Sequence, residues 1–174
     1  MYRKYIKRIL DIIIAAVFVI MLIPIYIIMY IITKIEFKGS AIFKQRRIGL
    51  NEKPYEIYKF KTMNDFTKET TKLSRFIRKT GIDEIPQFLN VLKGDMSIIG
   101  PRPFIVDDPL PIPYSKLRHT VRPGLTGLSQ ISGRYTLTHK RKLELDDEYI
   151  NNLSFILDLK IFFKTIIYIF KEIF

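Results

Sequence analysis

The sequence predicts an α+β protein, mostly helical, with a small β-hairpin and an N-terminal helical hairpin that enters a membrane and returns. Three observations predict it. Ile12 to Ile32 is an uncharged, almost wholly apolar run of 21 residues interrupted by Pro24. Tyr55 to Phe60 alternates aromatic with polar side chains behind a Gly49-Leu50-Asn51 turn. The remainder falls into short amphipathic segments separated by glycine and proline.

The apolar run has about the length that crosses a hydrocarbon core of roughly 30 Å as a straight helix. A secretory signal peptide fits less well, because the run is long and no small-residue cleavage site follows it. Pro24 removes a backbone hydrogen bond near the middle, which bends a helix. Both flanks are basic: Arg3, Lys4, Lys7 and Arg8 precede the run, and Lys34, Lys38, Lys44, Arg46 and Arg47 follow it. Positive residues mark the cytoplasmic side of a membrane segment. Two basic ends with a break between them predict a re-entrant helix–break–helix hairpin; an ordinary single span is the alternative.

Downstream, Ala41-Ile42-Phe43 and Tyr55 to Phe60 read as two strands around the turn. Asn64 to Thr71 is polar and reads as a loop. Leu73 to Lys79, apolar at Leu73, Phe76 and Ile77 with Arg75 and Arg78 between, reads as a helix. A second helix is expected from Asp83 to Leu92, stopped by Gly94. Pro101 to Pro113 holds five prolines in 13 residues and predicts an irregular connector. Pro123 to Gly133 reads as a glycine-rich loop, and Leu143 to Asn152 as a short acidic helix. Phe155 to Phe174 is strongly apolar yet carries Asp158, Lys160, Lys164, Lys171 and Glu172. Charges at a bilayer centre are costly, which argues against a second span. Lys160, Lys164 and Lys171 share one helical face, so an amphipathic helix lying in the membrane interface is expected; a core helix is the alternative.

Composition narrows the function. The 174 residues leave one soluble domain beyond an anchor, and about 140 residues can bury a real core. The absence of cysteine excludes disulfides, zinc-thiolate sites and thiol nucleophiles. His119 and His139 are too few for a histidine-rich metal site and read as ordinary polar or surface residues. A formal charge of +12 calls for an anionic partner. The chain has no helix-turn-helix, aromatic RNA-binding motif or long basic arm, so nucleic acid is not the expected one. Anionic membrane lipids together with a phosphorylated substrate account for the charge and match the apolar N-terminus.

The block from Thr80 to Pro103 bears the chemistry. Asp83 and Glu84 stand ahead of an apolar run, and Arg102 follows it in Gly-Pro-Arg-Pro. At a helix start, free N–H groups and the dipole keep carboxylates ionised. An ionised aspartate can attack phosphorus or ligate Mg²⁺; a plain N-cap is the alternative for Asp83. Arg78 lies upstream and Lys93 downstream. Prolines around Arg102 fix its backbone, which suits bidentate recognition of phosphate oxygens. Arg122-Pro123-Gly124 and Gly133-Arg134 set further arginines beside turns. Carboxylates, arginines and anchor together suggest phosphoryl transfer to or from a lipid. A non-catalytic membrane-tethered module that binds phospholipid or polyprenyl phosphate is the alternative.

The matching segments are Phe43 to Gly49, Tyr58 to Met63, Ile82 to Gln87, Asn90 to Ser97, Ile99 to Pro103, Arg122 to Gly127 and Ser132 to Arg134. With the N-terminal hairpin and the Ser154…Asp158-Leu159-Lys160 terminus they run in order over nearly the whole chain. On these residues the chain resembles the bacterial sugar transferases, the monotopic phosphoglycosyl transferases, in their minimal form. The resemblance implies a Mg²⁺-dependent exchange in two steps. Asp83 attacks the sugar-bearing phosphorus of a UDP-sugar and expels UMP, and undecaprenyl phosphate then takes the phosphosugar. Glu84 matches a second acid that assists the metal or proton handling, and Arg78 and Arg102 match positions that hold substrate phosphates. Lys59, Lys61, Arg122 and Arg134 are further substrate-binding candidates on matching segments, and Asp83 with Glu84 would hold the metal. The implied organisation is a membrane anchor over 1–36, a cytoplasmic catalytic domain over 37–154 and an interfacial helix over 155–174, at the bacterial inner membrane. Two positions depart from the family's pattern. Ile23 precedes Pro24 where a serine is frequent, which predicts a shallower bend. Lys61 replaces a frequent arginine, which predicts a weaker contact. The sugar carried and the oligomeric state have no signature in the chain.

Overall fold

In a computed structural model, which describes residues 1–37, 39–63, 70–109, 114–133 and 136–173, the apolar run forms two helices. These are α1 (Lys7–Met21), entered through a π-helical turn at Tyr2–Ile6, and α2 (Ile23–Phe37). They are bent by 63° at Leu22. Pro24 therefore sits in the first turn of α2, where a missing N–H has no helical partner to lose. Among the described residues no single helix is long and apolar enough to cross a membrane, and only this bent pair has the length and composition to do so together.

The two helices differ in what they bury. Lys7, Asp11 and Ala15 of α1 are buried at a spacing of four, which makes one face. That face packs on α4 (Gln87–Lys93) and β3 (Ser97–Ile99). Arg8 donates to Val91 O at 2.7 Å and Leu92 O at 3.1 Å, satisfying the Leu92 carbonyl at the end of α4 and adding to the bond that Val91 O accepts from Gly94 N. Asp11 accepts from Ile98 N at 3.0 Å, and Phe18 stacks on Phe88 with ring centroids 5.0 Å apart. On α2 only Met29 and Thr33 are buried, and Ile25, Ile27, Ile28, Ile31 and Ile35 are exposed.

The long helix α7 (Phe155–Ile173) closes the core from the other side. Asp158 in its first turn is buried and accepts from Lys7 Nζ at 2.7 Å, Tyr149 OH at 2.8 Å and Tyr2 OH at 2.5 Å. Ile161 is fully buried, and Leu157 and Phe162 pack against the core. Phe155, Ile156, Leu159, Phe163, Ile167 and Phe170 remain exposed. One face of α7 is thus a core face, and the opposite face is apolar and open.

The expected hairpin is β1 (Ile42–Ile48) against β2 (Pro54–Phe60), antiparallel, with Ile42 opposite Phe60 and Ile48 opposite Pro54. Its turn contains a 3₁₀ piece, Leu50–Glu52, with Asn51 at φ 53°, a conformation asparagine tolerates. The fully buried Asn90 side chain accepts from Tyr58 N at 3.0 Å and donates to Glu56 O at 2.6 Å, tying β2 to α4. The helix α3 (Lys72–Thr80) forms where expected, capped by the Thr71 hydroxyl on Ser74 N.

Three expectations change. The helix expected from Asp83 begins at Gln87, and Ile82–Glu84 is a separate 3₁₀ turn ahead of Pro86. The segment read as a loop over Pro123 to Gly133 contains β4 (Gly124–Thr126), parallel to β3, and a single turn, α5 (Leu128–Ile131). Three-residue strands are too short to show periodicity. Glycine permits this pairing, because a Cβ on Gly124 would run into the Gly100 backbone. The acidic helix α6 (His139–Asn151) starts four residues early, where Thr138 accepts from Arg141 N. The Pro101 connector is irregular over its described part, while its residues 110–113 lie outside the described residues, as do 64–69 of the expected polar loop.

Lys7 and Asp158 form a buried ion pair, and removing one partner strands a charge. Lys7→Met is expected to destabilise the protein by about 3 kcal/mol in urea unfolding of the detergent-solubilised chain.

Candidate active site

The site is built around the reversal between α3 and α4. Gly81, at φ 75°, ends α3 and turns the chain into the 3₁₀ turn that carries Asp83 and Glu84. Gly81 and Pro86 occupy the N-cap positions of this turn and of α4, so Asp83 caps neither. Asp83 is only 7% exposed, yet it lines a cavity of about 1040 Å³.

That cavity is strongly basic. Arg47 enters from β1, Lys59 from β2, Arg75, Arg78 and Lys79 from α3, Arg102 from the segment after β3, and Lys142 from α6. Arg75, Arg78 and Lys79 fall at i, i+3 and i+4, one helical face. Facing them are Asp83, Glu84, Asp108 and Asp146.

Glu84 is the electrostatic centre. Its Oε1 accepts from Lys59 Nζ at 2.7 Å and from Arg102 at 2.9 Å, and its side chain is 17% exposed. Burial opposes its ionisation, but Arg102 and Lys59 more than offset that and hold the carboxyl well below the usual carboxylate range. Two cations from different elements are thereby fixed side by side on one carboxylate oxygen.

Behind Arg102 lies a second buried network. Arg118 donates to the Arg102 carbonyl at 2.5 Å, pairs with Asp146 at 3.1 Å and lies 3.4 Å from the centre of the Phe104 ring. Burial pushes Asp146 up to about 6, against the pull of Arg118 and a hydrogen bond from Ser129 at 3.0 Å. Arg47, whose affinity for its proton is lowered by burial, donates to Pro103 O at 3.1 Å. Two arginines thus pin the backbone of the Arg102 segment from both sides.

The candidates named from sequence separate accordingly. Asp83, Glu84, Lys59, Arg78 and Arg102 line one cavity; Arg78 is exposed at its rim, with Met63 Sδ at 3.0 Å. Lys61 does not line it: its side chain is buried with the ammonium 5.8 Å from the centre of the Phe37 ring, because the chain leaves the strand after Phe60. Arg122 does not line it either: its Nε donates to Gly94 O at 2.8 Å and ties the end of α4 to the segment just before β4. Lys93 points to Tyr58 OH, away from the cavity. Arg134 lies outside the described residues. Sequence reasoning missed Arg47 and Arg118, which act through backbone carbonyls that no spacing announces, and Asp146, which pairs with Arg118; of the α3 stripe it named Arg78 alone as a candidate, although the i, i+3, i+4 spacing of Arg75, Arg78 and Lys79 is a local signal. His119 is buried beside Gly49 O, and His139 is exposed at the cavity edge.

Compared with known proteins, residues 2–172 match the family described as bacterial sugar transferase. The chain is 42% identical over 172 residues to the uncharacterized sugar transferase EpsL of Bacillus subtilis, covering 92% of this chain and 85% of that one. It is 40% identical over 181 residues to a UDP-glucose:undecaprenyl-phosphate glucose-1-phosphate transferase of Klebsiella pneumoniae, covering 92% of this chain and 39% of that one. It is 38% identical to a UDP-N-acetylgalactosamine-undecaprenyl-phosphate N-acetylgalactosaminephosphotransferase of Aeromonas hydrophila, covering 93% and 43%. The chain therefore spans most of the Bacillus relative and less than half the length of the other two.

The depressed pKa of Glu84 sets a pH signature. Its stabilising effect is full above the ordinary carboxylate range and is lost as pH falls through the lower folded-state value. Glu84→Gln is expected to cost about 2 kcal/mol at pH 7 in chemical denaturation, and the gap from the parent is expected to close as the pH is taken well below the carboxylate range.

Proposed function

The chain belongs to the bacterial sugar transferase family, and on that premise we propose that it moves a phosphosugar from a UDP-sugar to undecaprenyl phosphate at the cytoplasmic face of a bacterial inner membrane. The observation that carries the reading is a buried aspartate in the wall of a cation-lined cavity, beside a glutamate already paired with two of those cations. Phosphoryl transfer depends mainly on positioning and on neutralising charge spread over phosphate oxygens. This cavity offers both.

In the first step a carboxylate oxygen of Asp83 attacks the sugar-bearing phosphorus, the bond from that phosphorus to the bridging oxygen breaks, and UMP leaves with the electron pair. In the second, a phosphate oxygen of the lipid attacks the same phosphorus and the bond to Asp83 breaks, which restores the carboxylate and yields the lipid diphosphate sugar. Lys59, Arg78 and Arg102 would take the phosphate oxygens. Glu84 stays ionised at neutral pH, which suits holding Lys59 and Arg102 together and aimed rather than shuttling a proton.

The donor set suits Mg²⁺, a hard cation that takes one or two carboxylates and completes its shell with phosphate and water. Among the described residues no group of three acids or histidines gathers into a metal cage. Asp83, with Glu84 beside it, would hold the ion together with the substrate's own phosphates. Bound there, it would neutralise the diphosphate charge.

The bend between α1 and α2, the exposed isoleucines of α2 and the open apolar face of α7 support a membrane seat. In this reading α1 and α2 enter one leaflet and return, and α7 lies at the interface with Lys160, Lys164 and Lys171 at the headgroups. Residues 1–36 are the anchor, 37–154 the catalytic domain and 155–174 the interfacial helix. Lys4 on one side and Lys34 on the other, both exposed, would meet anionic lipids.

The test is UMP release from a panel of UDP-sugars by nanodisc-held protein with Mg²⁺ and undecaprenyl phosphate. Release with one donor, lost on chelation of Mg²⁺ and reduced at least about a thousandfold in Asp83→Asn, is the expected outcome. Full turnover by a folded Asp83→Asn protein would overturn the role given to Asp83.

A further inference from the structure

A second cavity of about 330 Å³ adjoins the first. Its walls are apolar: Phe18 and Leu22 at the end of α1, Phe88 on α4, and Phe162 and Ile166 on α7. At its inner end the lining changes to Lys79, Arg102 and Gln130, which line the basic cavity as well. The two spaces therefore share a wall at the cations, and the apolar one leads from them toward the break at Leu22.

We infer that this apolar groove holds the first isoprene units of the polyprenyl phosphate acceptor, with its phosphate at Arg102 and Lys79. The inference rests on the proposed transfer to such an acceptor. Three features select that occupant. The groove is continuous with the basic cavity, so one molecule with a phosphate head and an apolar chain fits both. Its volume is at the lower end of ligand pockets, about 300–1,000 Å³, enough for the start of a long chain and not for the whole. Two of its walls, the end of α1 and the second half of α7, are the elements whose other faces carry exposed Ile20, Met21, Ile167 and Phe170, so a chain leaving the groove enters the surface that the membrane reading gives to lipid. Holding these units in protein orders the phosphate before reaction and lowers the entropic cost of positioning it.

A polyprenyl phosphate bearing a diazirine on an early isoprene, mixed with the full chain in nanodiscs and irradiated, is expected to label the α4 and α7 peptides around Phe88 and Ile166. Undecaprenyl phosphate is expected to compete the label and phosphatidylglycerol is not. Label confined to α2, or label lost to phosphatidylglycerol, would overturn the inference; the latter would make the groove a phospholipid site. In kinetics, Ile166→Trp narrows the groove. The ratio of kcat/KM for undecaprenyl phosphate to that for a short two-isoprene phosphate is expected to fall about tenfold; an unchanged ratio would overturn the inference. Exchange of labelled UMP into the UDP-sugar by the parent protein needs no acceptor. Its absence would refute the proposed chemistry itself, while its presence with an unchanged ratio would refute only the groove.

Discussion

The grip of α1 on the end of α4 and the start of β3 is the constraint on which the rest depends. Arg8 occupies two carbonyls of α4, and Asp11 accepts from Ile98. The residues at the other end of α4 carry Asp83 and Glu84, and the residues after β3 carry Arg102. Both sides of the cavity are therefore referenced to one apolar helix. Lys7 extends the grip to α7 through Asp158, and Tyr149 and Tyr2 satisfy the remaining capacity of that carboxylate. A buried ion pair contributes little net stability against an apolar replacement. Its effect here is registration: a helix with an apolar body has one polar end that fits in one place.

The site follows the same logic at a smaller scale. Positive charge drawn from β1, β2, α3, α6 and the Arg102 segment would repel itself without internal anions. Glu84 joins two of these cations, and Asp146 neutralises a third, Arg118, that is itself committed to the Arg102 backbone. The cavity keeps a surplus of positive charge, which suits the diphosphate proposed to enter it, while its own geometry is fixed by pairs. That is preorganisation: the dipoles and charges are set before substrate arrives.

Much of this was legible in the sequence, for identifiable reasons. The break near Pro24, the strand pair around Asn51 and the helix over Leu73 to Lys79 are local features, each set by proline, turn chemistry or periodicity. Asp83, Glu84 and Arg102 announced themselves as charged residues amid turn residues that build no core. What was hidden is non-local. The parallel pairing of Ser97–Ile99 with Gly124–Thr126 joins two three-residue strands that have no period to read. Arg122 looked like Arg102, an arginine beside proline and glycine, but its partner is the Gly94 carbonyl and it serves the fold. Lys61 shares the parity of Lys59, but the strand ends between them and its ammonium goes to the Phe37 ring. The α7 helix combined two readings, because Asp158 and Ile161 face the core while its apolar back stays open.

The covalent role proposed for Asp83 is tested by the mass of the intact protein after mixing with a UDP-sugar donor and no lipid acceptor. A gain equal to one phosphosugar is expected, mapped by peptide analysis to Asp83 and discharged on adding undecaprenyl phosphate. Turnover that proceeds with no such adduct under rapid quench, or an adduct on another residue, would contradict that role.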